Sequence, residues 1–166
     1  MSTDAIVLLK DDHKEIRRLF TAFEQAGDNA LASKGKLVDK IIELLTIHTY
    51  VENEVMYPRV REMLPDLEDD VLESYEEHHV ADVLVVELAS MKPADERFTA
   101  KATVLIESVR HHMKEEEDDW FPKVRQGLGR KALQHMDVDI IEARKNAPRK
   151  PSQPSALKKT VDAVIK

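Results

Sequence analysis

His48-Thr-Tyr-Val-Glu52-Asn-Glu-Val-Met-Tyr57-Pro58 and His112-Met-Lys-Glu-Glu116-Glu-Asp-Asp-Trp-Phe121-Pro122 are near-duplicates. In each, a glutamate follows the histidine by four positions, and an aromatic–proline pair closes the segment. On a helix, residues i and i+4 are stacked neighbours on one face. An imidazole and a carboxylate held this way can grip one transition-metal ion, and two such helices facing each other can grip two.

Working outward, apolar residues recur at helical spacing almost throughout. Ile6, Leu9, His13, Ile16, Leu19/Phe20 and Phe23 form a stripe, with Thr3 or Asp4 suited to cap its start. A second helix is predicted from about Ala32 to Leu64, carrying Leu37, Ile41, Leu44, His48, Val55 and Val60 and kinked at Pro58. A third runs from about Glu68 to Met91 and a fourth from about Glu96 to Arg125, with Pro122 placed like Pro58. Gly127-Leu-Gly129 precedes a shorter helix, about Arg130 to Lys145. The expected fold is all-α: an antiparallel up-down-up-down four-helix bundle with an additional shorter C-terminal helix. Residues 1–146 form one domain, and 147–166 a basic, proline-containing tail whose end, Ala156 to Lys166, has the pattern of a short amphipathic helix.

Composition narrows the chemistry. Charged residues make up 34% of the chain, there are four glycines, and there is no cysteine. Disulfides and thiolate sites are therefore excluded, and any metal needs nitrogen and oxygen ligands. No stretch approaches the ~18–20 apolar residues of a membrane span, and the N-terminus lacks a signal pattern, so a cytoplasmic location is expected. From Arg144 onward seven basic residues face one acidic residue, a net of +6, which leaves −13 of the overall −7 on the rest. An acidic body argues against nucleic-acid binding. The basic tail reads most simply as solvated.

Of seven histidines, His13, His48, His78 and His112 fall on the inward stripes, one per helix. Helical phase favours His78 over His79 and His112 over His111. A lone histidine on an apolar face is more often a hydrogen-bonded core residue than a ligand. Four of them with two inward carboxylates change that judgement. Burying Glu52 and Glu116 costs several kcal/mol apiece unless a cation compensates, and no lysine or arginine shares their stripe. Metal ions are the natural counter-charge.

These residues give the chain a resemblance to the hemerythrin-like (HHE cation-binding) family over about residues 3–146. Leu8-Leu9-Lys-Asp-Asp-His13, His48-x-x-x-Glu52 with Tyr57-Pro58, Glu77-His78, and His112-x-x-x-Glu116 with Phe121-Pro122 carry it. The resemblance implies a diiron domain with His13, His48, Glu52, His78, His112 and Glu116 as ligands. Two departures separate the chain from oxygen-carrying members. Asp82 stands where they add a histidine, and helix four carries His-x-x-x-Glu instead of His-x-x-x-x-Asp. Tyr75, on the face of His78 and His79, is the candidate phenol to fill the gap. Tyr50 and Tyr57 are rotated away from the motif on regular helix geometry, and His79 and His111 stay open as extra ligands. Glu115, Glu117, Asp118 and Asp119 read as a solvated face, or more weakly as an iron-uptake patch. Tyr57, Trp120 and Phe121 are expected to pack the bundle end.

If both glutamates bridge, the protein fills about eight of the twelve positions of two octahedral ions. A bridging oxide or hydroxide takes two more, leaving room for an exogenous ligand. The expected chemistry is therefore that of a small oxidant (H₂O₂, O₂ or NO) at two irons. Catalase-like disproportionation of hydrogen peroxide stands slightly ahead of nitric oxide reduction or peroxidation. The competing class is a protein that binds or senses O₂, nitric oxide or iron. A ferritin-like site ranks last, because only Glu76-x-x-His79 fits its pattern.

Overall fold

Four long helical columns and a returning C-terminal helix carry almost all of the chain in the computed structural model, which describes residues 3–151. The expected helix at Ala156–Lys166 lies outside the described residues. Helix α1 spans Ala5–Gln25, and Asp4 caps it, its carboxylate accepting the Val7 N–H at 3.0 Å. The stripe Ile6, Leu9, His13, Ile16, Leu19, Phe20 and Phe23 is buried as its spacing requires. In α2 (Leu31–Val51) the buried face is Val38, Ile41, Ile42, Leu45, His48 and Val51. Leu37 and Leu44, placed on the stripe by the sequence, flank it and are only half-buried.

Ahead of Pro58 the second column leaves α-helical geometry. A five-residue π-turn, Glu52–Met56, is inserted between α2 and α3 (Tyr57–Met63). Pro58 has no N–H for the carbonyl four residues back, and its ring would clash there. The chain widens by one residue, so that the Tyr57 N–H bonds the Glu52 carbonyl. The fourth column repeats the solution. Helix α5 (Phe98–Glu115) passes through a π-turn, Glu116–Trp120, into α6 (Phe121–Asn146), and the Phe121 N–H bonds the Glu116 carbonyl ahead of Pro122. Between these columns α4 (Glu68–Ala89) follows a short 3₁₀ turn, Pro65–Leu67.

Helix α6 bends sharply at Gly129, where φ is +78°, a value open to glycine and strained for other residues. The segment after the bend packs back on α1, placing Leu133, Met136 and Ile140 against Ala5, Ile6 and Leu9. Two apolar clusters result. One, from Ile16 to Phe23 with Leu45, Leu88 and Ile106, fills one end of the bundle. The other, with Val60, Val71, Trp120 and Val124, fills the opposite end. The inward histidines and glutamates belong to neither cluster. No described helix is long and apolar enough to cross a membrane.

Candidate metal centre

His13, His48, Glu52, His78, His112 and Glu116 are all buried, and each of the four columns contributes to them. Their ligand atoms form two groups that share Glu52: His13, His48, Glu52 and Glu116, and Glu52, His78 and His112. His13 Nε2 lies 3.2 Å from His48 Nε2 and 3.3 Å from Glu116 Oε2, and His48 Nε2 is 3.0 Å from Glu52 Oε1. On the other side His78 Nε2 is 3.0 Å from Glu52 Oε2 and 3.2 Å from His112 Nε2, which is 3.3 Å from Glu116 Oε1. Each carboxylate thus offers one oxygen to each side.

These spacings suit metal ions. Cis ligands on an octahedral ion with bonds of about 2.0–2.1 Å stand about 3 Å apart. Glu52 Oε1 and Glu116 Oε2 are buried and accept no hydrogen bond, although an imidazole nitrogen lies near each. Two buried anionic oxygens converging without a donor call for a cation.

The outward nitrogens follow a rule that sequence reading missed. His48 Nδ1 donates to Asp12 Oδ2 at 3.0 Å, and His13 Nδ1 to Glu117 Oε1 at 2.9 Å. His78 Nδ1 donates to Asn53 Oδ1 at 2.8 Å, and His112 Nδ1 to Glu77 Oε2. Every acceptor is the chain neighbour of a candidate ligand on another column: Asp12 beside His13, Asn53 beside Glu52, Glu77 beside His78, Glu117 beside Glu116. Such bonds fix the ring and leave Nε2 free to ligate. Glu117 is therefore not part of a solvated face. Arg17 grips it with two bonds of 2.9 Å, and Arg144 similarly holds Asp12 at 2.7 Å.

The phenol at the cluster is that of Tyr57, not Tyr75. Its hydroxyl is 2.8 Å from Glu116 Oε1, 3.0 Å from Glu52 Oε2, and 3.2 Å from Nε2 of both His78 and His112. Regular α-helical phase turns Tyr57 away, but the π-turn brings residue i+5 onto the face of Glu52. Tyr75 packs edge-on to the Tyr57 ring, with centroids 5.3 Å apart. Tyr50 packs against the apolar cluster, and His111 is exposed, paired with Glu115 at 3.1 Å. His79 is half-buried, and neither it nor Asp82 contributes an atom to either buried group. Trp120 and Phe121 do pack, and Phe121 stacks on His13 at 5.8 Å with 17° between the planes.

Without a cation these groups strain one another's protonation. Burial pushes the His48 imidazole down, but Glu52 and Asp12 outweigh it and raise it to about 10. Burial likewise lowers His112, and Glu116, Glu52 and Glu77 carry it well above its ordinary value. Burial and the Glu116 and Glu52 charges push the Tyr57 hydroxyl well up. A metal ion inverts this logic, since it takes the place of the protons the site otherwise has to hold.

The hemerythrin HHE cation-binding domain family model matches residues 4–124. A DNA nickase of Nostoc sp. is 26% identical over 137 residues, 82% of this chain and 38% of the nickase, so the chain spans well under half of that relative. An uncharacterized hemerythrin-like protein of Schizosaccharomyces pombe is 25% identical over 149 residues, 89% of this chain and 72% of that one. The crystal structure of a hemerythrin HHE cation-binding domain-containing protein from Mycobacterium kansasii has the same fold. It superposes with a TM-score of 0.69 at 19% identity, covering 97% of this chain and 99% of the other.

Proposed function

Because the chain belongs to the hemerythrin HHE cation-binding family, we propose that it holds two iron ions and disproportionates hydrogen peroxide. The domain responsible is residues 1–146. His13 and His48 would hold one ion, His78 and His112 the other, with Glu52 and Glu116 bridging and Tyr57 as a further oxygen ligand of the second. The observation that carries the reading is the convergence of four imidazole nitrogens on two buried carboxylates at 3.0–3.3 Å, with Glu52 Oε1 and Glu116 Oε2 left accepting no hydrogen bond. When bound, the iron pair supplies two-electron redox chemistry, oxidising one peroxide and reducing the next.

The protein side of that chemistry is selection and proton control. A space of about 20 Å³ adjoins His48, His78 and His112, walled by Leu45, Ala81, Val109 and Met113. It is large enough for a molecule of the size of water. Peroxide can serve as both oxidant and reductant, so no second substrate has to reach the site. The Tyr57 hydroxyl lies among two carboxylates and two imidazoles, which would take up its proton when the oxygen binds the second ion. The nickase's activity is not part of this reading, since the body's net −13 repels a phosphate backbone.

The test is oxygen release from hydrogen peroxide by anaerobically iron-loaded protein, paired with elemental analysis. Two irons per chain with oxygen release is the expected result. Stable, reversible O₂ or nitric oxide binding with negligible oxygen release would move the function to binding or sensing.

A further inference from the structure

A cleft of about 330 Å³ opens beside the second half of the cluster, walled by Asp70, Glu73, Glu77, Glu115 and Asp119 and reaching His112 and Glu116. At its side, ligand atoms of Glu77, His111 and Glu115 lie within 4.8 Å of one another, close enough to share one ion. His111 and Glu115 are exposed, and Glu77 is half-buried with its other contact on His112 Nδ1. Glu77 therefore touches both the exposed trio and the buried centre. Glu116 stands at the inner end of the cleft, 2% exposed, with Oε1 3.3 Å from His112 Nε2. Trp120 lines the same cleft, and its buried indole N–H has no acceptor. Lys123 partly neutralises Asp119 and Asp70, at 2.9 and 3.7 Å, which leaves Glu73, Glu77 and Glu115 as the attractive wall.

We infer that Glu77, His111 and Glu115 form a capture site for a hydrated divalent cation, from which the ion passes along the acidic cleft to His112 and Glu116. The inference rests on the metal-binding reading above and adds a route to it. Three ligands at the open edge between α4 and α5, two of them exposed, hold an ion weakly, as a relay requires. The lining carboxylates raise the local cation concentration and speed capture, an effect of about 10–10³ in rate that salt screens. Glu77 is the handover residue, because its carboxylate reaches the ring that ligates inside.

The sole tryptophan lies in the cleft wall and supplies the probe. Metal-free protein is mixed anaerobically with Fe²⁺, or with Co²⁺ as a redox-inert control, and Trp120 fluorescence is followed by stopped flow, with final metal content measured. The wild type should show a fast, salt-sensitive phase followed by slower filling. The exposed double variant His111→Gln/Glu115→Gln should lose the fast phase and load about ten-fold more slowly, yet reach the same final metal content and helicity. Glu107→Gln, an exposed acid outside the cleft, should load as wild type does. Loading of the double variant at the wild-type rate, or absence of the fast phase in the wild type, overturns the inference. A fast phase without slow filling or retained metal supports the capture site and overturns the buried diiron reading instead.

Discussion

The segments His48–Pro58 and His112–Pro122 share a backbone, and two of their differing side chains change what meets the buried cluster. Each carries a histidine, a glutamate four residues on, a five-residue π-turn, and an aromatic N–H bonded to the glutamate carbonyl ahead of proline. Where the first has Asn53 and Tyr57, the second has Glu117 and Phe121. The Tyr57 hydroxyl enters the His78–His112 side, whereas Phe121 only stacks on His13. Asn53 gives His78 a neutral acceptor, and Glu117 gives His13 a charged one shared with Arg17. The His13–His48 position is thus backed by two carboxylates, each tied to an arginine. The His78–His112 position has one carboxylate, one amide and a phenol. A duplicated frame holds two unlike sites.

The largest effect should fall on what the halves share. Glu52→Ala and Glu116→Ala each remove a bridge to both positions, so either variant should lose both ions, read by elemental analysis. His13→Ala should lose mainly one. Equal loss in all three variants would mean that the positions fill as a unit, erasing the distinction between them. Removing metal exposes the underlying charge balance. His48 rises from 6.5 to about 10 on folding, so its contribution is fully present below about 6.5 and is lost as pH climbs toward 10. Glu116 falls from 4.5 to about 2, so its contribution holds above about 4.5 and is lost toward 2. Metal-free protein should melt highest between about pH 4.5 and 6.5, and the loaded protein should not follow that profile.

Next comes the phenol. Tyr57→Phe should keep both irons, lose any visible phenolate-to-iron absorption and change the peroxide rate. Tyr75→Phe should leave the colour alone, because the Tyr75 ring meets the Tyr57 ring and not the cluster. The reciprocal Phe121→Tyr has to seat a hydroxyl beside the His13 ring, costing about 1–3 kcal/mol in a thermal melt. If Tyr75→Phe bleaches the protein and Tyr57→Phe does not, the asymmetry lies elsewhere.

The outer acceptors should matter less. Glu117→Gln should weaken metal affinity at the His13–His48 position by about 10–100-fold. Asn53→Asp gives His78 a carboxylate and should tighten the other position, visible in competition with a chelator. A Glu117→Gln protein with unchanged affinity at both positions would show that the acceptors only pack.

The fold was legible because helical phase is a repeated signal. His13, His48, His78 and His112 each sit among several apolar neighbours that point the same way, so a small local error does not move them. Tyr57 was not legible, because one inserted residue in the π-turn rotates it by about a residue's worth of phase. Pro58 and Pro122 marked the disturbance, but a kink and a π-turn satisfy a missing N–H equally well on paper. Asp12, Asn53, Glu77 and Glu117 were hidden by their partners. Each acts on a ring from another column, and a pattern read along one helix does not reveal pairings across four. Their adjacency to the inward residues was the available signal, since the chain neighbour of an inward residue points sideways toward the next column.

The smallest expected effect tests the arginines that single out the His13–His48 position. Arg17 and Arg144 are part-exposed and bond Glu117 and Asp12 with two contacts each, 2.9 Å for Arg17 and 2.7 Å for Arg144. Burial pushes the Glu117 carboxyl up, but the Arg17 and His13 bonds outweigh it and hold it below the usual range. Arg17→Gln removes that restraint without removing the acceptor, so the imidazole stays oriented while the carboxylate becomes more basic. Stability should fall by about 0.5–1 kcal/mol, as for other part-exposed ion pairs. Affinity at this position should hold or rise slightly, since a more basic acceptor pulls harder on the His13 N–H and makes Nε2 a stronger donor to metal. Arg144→Gln should act the same way through Asp12 and His48. A loss of metal as large as that of Glu117→Gln would show instead that the arginine positions the carboxylate, and the two positions would then differ in rigidity and not in charge.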